Sequence, residues 1–290
     1  MILSAWMGPD ARSALWLFRP DHSASDDSMG GTMSQVIAKG RLTGKVAIVT
    51  GGASGIGRAM ALSFANEGAR VVIATAHNEN GLIETQAMAP NGSIERFMAD
   101  ASIGTDVEAL VAFTEHRFDR LDIMCNNAGV LTTAPIEEMS EQEWDRVIDV
   151  NLKGTFFGCR YSIPALRRAG GGSIINIGSV NSVVASAGYG HYCAAKGGVL
   201  MLTKTVALEC AAQRIRANVI CPGIIDTPMN ATFEQTMGGR KQFEDACLAL
   251  QPLGIGRPAQ VAAVAVFLAS DESSLITGTE IMVDGGFTAQ

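Results

Sequence analysis

The run Lys45-Val46-Ala47-Ile48-Val49-Thr50-Gly51-Gly52-Ala53-Ser54-Gly55-Ile56-Gly57 reads as a buried strand, Lys45–Thr50, that breaks into a glycine-rich turn and then a helix starting near Ile56. Gly51, Gly55 and Gly57 allow a tight turn and let the backbone approach a pyrophosphate. The helix start adds free N–H groups and the positive end of its dipole. The spacing is G-x-x-x-G-x-G, not the commoner G-x-G-x-x-G. Such a turn alone can equally be a tight loop. Its place after the first strand of a long strand–helix alternation is what points to a nucleotide site.

Outward from this turn, strands are predicted at Arg70–Thr75, Ser93–Met98, Leu121–Cys125, Ser173–Ile177, Ile215–Ile220 and Glu280–Val283. Helical patterns lie between them, over 56–67, 78–88, 102–118, 140–168, 189–213 and 258–269. Near-continuous Val/Ile runs mark strands covered on both faces. The alternation predicts βαβ units and a single α/β domain over 41–290. Its architecture would be Rossmann-type, a doubly wound, seven-stranded parallel sheet with helices on both faces. The stretch 227–257 carries Met229, Phe233, Met237, Phe243 and Leu248 and reads as a substrate lid at the carboxyl edge of the sheet. Positions 1–40 mix Ser, Gly, Asp and Met without periodicity and read as a flexible extension, with Met29 and Met33 as alternative starts.

At 290 residues, 47% of them hydrophobic, the chain can bury a substantial core. A net charge of -7 argues against nucleic acid or an anionic membrane as partner. No apolar run reaches transmembrane length. The six cysteines form no C-x-x-C pair and, with the four histidines, no zinc pattern. Reduced thiols in a cytoplasmic protein without a metal are expected.

Tyr192 and Lys196 stand four apart in the predicted helix 189–213 and so share a face. A lysine cation there favours tyrosinate and lowers the phenol's pKa from about 10, which suits a proton shuttle beside a nicotinamide. Ser179 lies 13 residues before the tyrosine, just past the fifth strand. Open α/β sheets bind ligands at that edge, and the hydroxyl can donate to a carbonyl oxygen. Asn151 falls inside the predicted helix 140–168, where Asn is a poor residue. It marks a functional site, a kink, or both. Singly, each has a plain reading: a packing tyrosine, a solvated lysine, a turn serine. Together they argue for catalysis.

T-G-x-x-x-G-x-G at Thr50–Gly57, N-N-A-G at Asn126–Gly129 and Y-x-x-x-K at Tyr192–Lys196, in that order, resemble the short-chain dehydrogenase/reductase family over about 42–290. Pro222-Gly223 and Thr277-Gly278 with Val283-Asp284-Gly285-Gly286 extend the likeness. The resemblance implies an NAD(P)-dependent oxidoreductase that interconverts a secondary alcohol and a ketone. Tyr192 would be the acid/base and Ser179 would polarise the oxygen. Lys196 would hold the nicotinamide ribose, and Asn151 would anchor a water in a proton relay. The same resemblance places the cofactor against Gly51, Ser54, Gly55, Ile56 and Gly57, against Thr75, and against Asp100 (at the adenine amine) with Ala101. It adds Asn127, Ala128 and Gly129, then Pro222, Gly223, Ile225 and Thr227, the last at the carboxamide. Asn126 would steady the central sheet. A homotetramer is also implied; Phe156, Phe157, Ala207, Ala211 and the end Ile281–Phe287 could pack on other copies, or equally face only their own sheet.

The chain departs from the family at Ile73-Ala74-Thr75-Ala76-His77. Thr75 stands where an NAD-preferring member has Asp, and Ala76 and Ser54 stand where an NADP-preferring member has a cation. A neutral His77 is a poor phosphate partner, so NAD is expected, with NADP the alternative. Val180, Ser182, Val184, Tyr189, Ile224 and Met229 are expected to line a pocket for a small apolar alcohol or ketone. Two rivals remain. One is a 3-oxoacyl-thioester reductase, which would need NADPH and a basic patch for an acidic carrier. The other is a non-catalytic nucleotide sensor on the same scaffold, which has no reason to keep an acid/base.

Overall fold

The first strand of the described chain, β1 (Val46–Thr50), is buried at every position. A computed structural model describes residues 40–90 and 92–289. Apart from Gly40, the extension expected over 1–40 lies outside them. Six more strands follow: β2 (Arg70–Thr75), β3 (Ile94–Met98), β4 (Ile123–Asn126), β5 (Gly172–Ile177), β6 (Ile215–Pro222) and β7 (Glu280–Val283). They form one sheet in the order β3-β2-β1-β4-β5-β6-β7, parallel at every pairing. Order reverses between β1 and β4. There the carboxyl ends of the strands open a crevice, where such sheets bind ligands.

The helices are α1 (Gly55–Asn66), α2 (Glu79–Met88), α3 (Gly104–Phe118), α4 (Glu141–Ile148), α5 (Gly154–Arg168), α6 (Gly190–Cys210), α7 (Ala231–Thr236), α8 (Arg240–Leu250) and α9 (Pro258–Ala269). Strand side chains alternate between two apolar layers, as the period of two requires. Ala47, Val49, Val71 and Ile73 pack with Met60 and Phe64 of α1, Leu82 of α2 and Val261 and Leu268 of α9. Ile48, Val72, Met124 and Ile174 pack on the other face with Leu110 of α3, Leu166 of α5 and Val206 of α6. Both faces are therefore covered, which is why the strands read as unbroken apolar runs.

The expected helix 140–168 is not α-helical throughout. Between α4 and α5 lies a π-helical turn, Asp149–Lys153, with Asn151 in it. Gly154 N–H donates to Asp149 O, five residues back rather than four. The Asn151 side chain compensates by donating from Nδ2 to Val147 O at 2.9 Å. The π-turn and the buried polar group thus belong together.

Helix 189–213 likewise ends at Cys210 and continues as a 3-10 turn, Ala211–Gln213. Between β6 and α9, the segment 227–257 folds as a 3-10 turn (Pro228–Asn230), α7 and α8. Its two ends are held together by a bridge between Ile225 and Gly256. Ala207, which could have packed on another copy, instead sits buried in the chain's own core.

Candidate active site

A cavity of about 880 Å³ runs along the carboxyl ends of β2, β1, β4, β5 and β6. At β1 its wall is bare backbone. Gly51 and Gly55 have φ of +68° and +53°, which strain any residue with a Cβ. A Cβ on Gly57 would lie 2.2 Å from Gly51 O and 2.5 Å from Asn127 Nδ2. The turn therefore closes only with glycine, and Ser54, Gly55, Ile56 and Gly57 face the cavity from the α1 N-terminus. Thr50 Oγ1 accepts the N–H groups of Asn127 and Ala128 at 3.0 and 3.1 Å. Asn127 Nδ2 returns to Thr50 O at 2.9 Å and Gly51 O at 3.4 Å. The Asn127 side chain is thus committed to welding the loop after β4 to the glycine turn, a role its motif position did not reveal.

Thr75, Asp100 and Ala101 line the cavity beyond β1, and Ala128 and Gly129 beyond β4. The Asp100 carboxylate is already engaged, Oδ1 accepting from Ser102 N at 2.8 Å and Ser102 Oγ at 2.7 Å. From the β6 end come Pro222, Gly223, Ile224, Ile225 and Thr227. Gln251, which sequence reasoning missed, sets their course. It is buried; its Oε1 accepts Ile224 N–H at 2.8 Å and its Nε2 donates to Ile224 O at 3.1 Å and Gly254 O at 2.6 Å. One amide thus gives the Ile224 N–H its acceptor and joins Gly256 N–H at Ile224 O. Nothing in the local pattern flags it beyond a polar residue just before Pro252.

Ser179, Tyr192, Lys196 and Asn151 all line the same cavity and all are buried. Ser179 caps a 3-10 turn, Val180–Ser182, its hydroxyl accepting Asn181 N–H at 3.1 Å. Lys196 Nζ donates to Ile177 O at 2.8 Å and lies 5.6 Å from the centroid of the Tyr192 ring. Asn151 Nδ2 bonds Val130 O at 2.9 Å, while its Oδ1, buried at the cavity wall, has no partner among the described residues. Asn126 lies beneath, bonded through Nδ2 to Asn176 Oδ1 at 2.8 Å within the sheet.

Of the expected pocket residues, Val180, Tyr189, Ile224 and Met229 line the cavity. Ser182 does not: its hydroxyl turns inward to accept Ser179 N–H at 3.2 Å and close a capping box. Val184 is exposed, as is Leu248 of α8. Phe233, Met237 and Phe243 do face the cavity, and Phe287 joins them from the chain's end. Phe233 stacks on Tyr189 with centroids 6.3 Å apart, and Tyr189 meets Tyr192 edge-on at 6.4 Å.

A family model described as enoyl-(acyl carrier protein) reductase matches residues 51–288. A 3-oxoacyl-(acyl-carrier-protein) reductase of Thermotoga maritima is 39% identical over 85% of this chain and 98% of its own. The 3beta-hydroxysteroid dehydrogenase 1 of Eggerthella lenta is 43% identical over 85% of this chain and 95% of its own. The crystal structure of levodione reductase superposes with a TM-score of 0.80 at 36% identity, covering 85% of this chain and 98% of that one.

The chain belongs to the short-chain dehydrogenase/reductase family. With membership comes its reaction class, NAD(P)-dependent oxidoreduction at a CH–OH group. The residues present fit a dinucleotide. A glycine cradle that excludes any Cβ, a helix N-terminus and an unpartnered buried Asn151 Oδ1 face one continuous cavity.

The electrostatics of this dehydrogenase/reductase correct one expectation. Burial pushes the Tyr192 phenol up to about 12, with Ser179 hydrogen bonding working against it. Burial likewise lowers the Lys196 ammonium to about 8, which leaves it a cation at neutral pH. Each shift is chiefly the group's own desolvation, and the lysine's hydrogen bond goes to Ile177 O and not to the phenol.

Proposed function

We propose that the protein interconverts a cyclic, apolar secondary alcohol and its ketone with NAD, using Tyr192 as acid/base. The observation that carries this is the burial of Ser179, Tyr192 and Lys196 in the same cavity as the glycine cradle. In ketone reduction Ser179 donates a hydrogen bond to the carbonyl oxygen, and Tyr192, protonated at neutral pH, gives that oxygen its phenolic proton. The Lys196 ammonium then stabilises the tyrosinate, and Asn151 Oδ1 accepts a hydrogen bond from the water that returns the proton. Bound NAD(H) supplies or accepts the hydride.

The substrate class rests on the aromatic wall of Tyr189 and Phe233 with Met229, Met237 and Phe243, and on the hydroxysteroid dehydrogenase among the relatives. NAD preference is supported at the β2 end. The nearby Arg58 guanidinium is already bonded to Ala53 O at 2.6 Å and Glu84 Oε2 at 2.7 Å. Glu79 sits in the first turn of α2. A 2′-phosphate there would meet His77 at the cavity wall and, among the described residues, no uncommitted arginine. We also read segment 227–257 as a lid on the substrate and residues 41–290 as one domain. A homotetramer is supported by the exposed Phe156, Met201 and Leu208 on α5 and α6, and a cytoplasmic setting by six unpaired thiols.

A 3-oxoacyl thioester is the second reading, favoured by the Thermotoga relative. Absorbance at 340 nm separates the two, with cyclic alcohols, cyclic ketones and an acetoacetyl thioester each offered with NAD(H) and NADP(H). Turnover of cyclic substrates with NAD, lost in Tyr192→Phe, is expected. Thioester reduction with NADPH alone would overturn the first reading.

A further inference from the structure

The residue directly before Tyr192 is a buried titratable group that the proposed chemistry does not use. His191 has no exposed surface. Its Nδ1 accepts the Tyr192 N–H at 2.8 Å, and its Nε2 lies 2.8 Å from Thr132 Oγ1. Both contacts follow from its place at the start of α6. The first N–H groups of a helix have no carbonyl partner within it, and Tyr189, the residue before α6, provides no side-chain cap. His191 supplies the missing acceptor for Tyr192 itself.

The contacts also determine where the ring's proton sits. With Nδ1 accepting the Tyr192 N–H, the neutral tautomer that fits carries its proton on Nε2, towards Thr132 Oγ1. Burial holds the imidazole below the ordinary histidine range, against the opposing pull of Glu143 and of the Tyr189 backbone. Thr132 lies in the loop after β4, whose Gly129 and Val130 line the cavity and whose Val130 carbonyl receives the Asn151 amide. One imidazole thus ties the helix that carries Tyr192 and Lys196 to the loop that supports Asn151.

We propose that His191 is a positioning residue, which fixes the first turn of α6 against the loop after β4 and so sets where the Tyr192 phenol stands relative to Ser179. The proposal rests on the reading of Tyr192 as acid/base. A buried histidine that merely filled space would be replaced without loss by an apolar side chain of similar volume. A cap would not.

The test compares His191→Leu, His191→Asn, Thr132→Val and Tyr192→Phe in the full chain. The readouts are kcat and KM on a cyclic alcohol that the parent oxidises, and NADH affinity by fluorescence titration. The Asn Oδ1 branches from the same carbon as the histidine Nδ1, so His191→Asn retains an acceptor for the Tyr192 N–H. A slightly misplaced reacting group costs heavily in rate, so His191→Leu is expected to lose about tenfold or more in kcat with NADH affinity unchanged, and His191→Asn to recover most of it. Parent-like kcat in His191→Leu, with Tyr192→Phe inactive, overturns the proposal alone. An active Tyr192→Phe overturns the acid/base reading and the proposal with it. If His191→Leu does not fold, Thr132→Val decides. A lowered kcat at unchanged NADH affinity supports the tie, and a parent-like kcat refutes it.

Discussion

Lys196→Met should make the protein more stable while removing its activity. Burial lowers the lysine from 10.5 to about 8. At about 1.4 kcal/mol per pKa unit, holding the cation in this site costs the fold about 3 kcal/mol at neutral pH. Methionine is of similar length and apolar. It forfeits the hydrogen bond to Ile177 O, worth about 1 kcal/mol net, which leaves a gain of about 2 kcal/mol. The sign with pH follows from the lowered folded-state pKa. The penalty is full below pH 8, shrinks from about 8 to 10.5 as the unfolded chain holds the proton that the folded chain has released, and is gone above 10.5. Urea denaturation of both proteins at pH 7 and at pH 10.5 measures this. The variant's advantage at pH 7 should fade at the higher pH. A variant less stable than the parent at pH 7, or an advantage indifferent to pH, would refute the reasoning. Saturating NAD should narrow or reverse the order, since a ligand stabilises only the protein that binds it.

Other changes follow from the same geometry. Gly57→Ala would set a methyl 2.2 Å from Gly51 O. Loss of NADH binding in a fluorescence titration is expected, and parental affinity would mean the turn is not the cradle. Gln251→Leu strips the Ile224 N–H of its acceptor and leaves Ile224 O with Gly256 N–H alone. A stability loss of about 1–3 kcal/mol is expected from the unpaired N–H, read as a lower urea midpoint, together with a raised KM for the cofactor. Phe233→Ala removes the ring stacked on Tyr189. An aromatic pair is worth about 0.5–1.5 kcal/mol, so KM for a cyclic ketone should rise about threefold to tenfold while a small acyclic ketone is little affected. Equal effects on both would argue that the wall does not read the ring.

Much of the fold was legible because its strands are covered on both faces. Val46–Thr50 and Arg70–Thr75 needed only their apolar runs to be recognised, and the structure starts and ends both within a residue of the expected bounds. The helix 140–168 was legible as helix but not as two helices. A single inserted residue leaves the apolar period almost unchanged, and the turn shows only in which carbonyl Gly154 bonds. Asn151 nonetheless stood out, because a polar residue in a helix interior is a local rule broken.

Side-chain direction was less accessible. Ser182 and Val180 are two apart and both looked like pocket residues, but a capping box turns the serine inward. Gln251 and His191 act through backbone groups distant in sequence or hidden in a helix start, which no residue pattern encodes.

By itself the sequence determined the order of strands and helices, the glycine turn, the family and the residue types of the site. These depend on local periodicity and on spacing along the chain. Only the tertiary structure decided the direction in which Tyr192 and Lys196 shift and the partner that each polar group takes. Desolvation and hydrogen-bond geometry are set by what packs around a group in space, and in this site burial moves both groups towards their neutral forms.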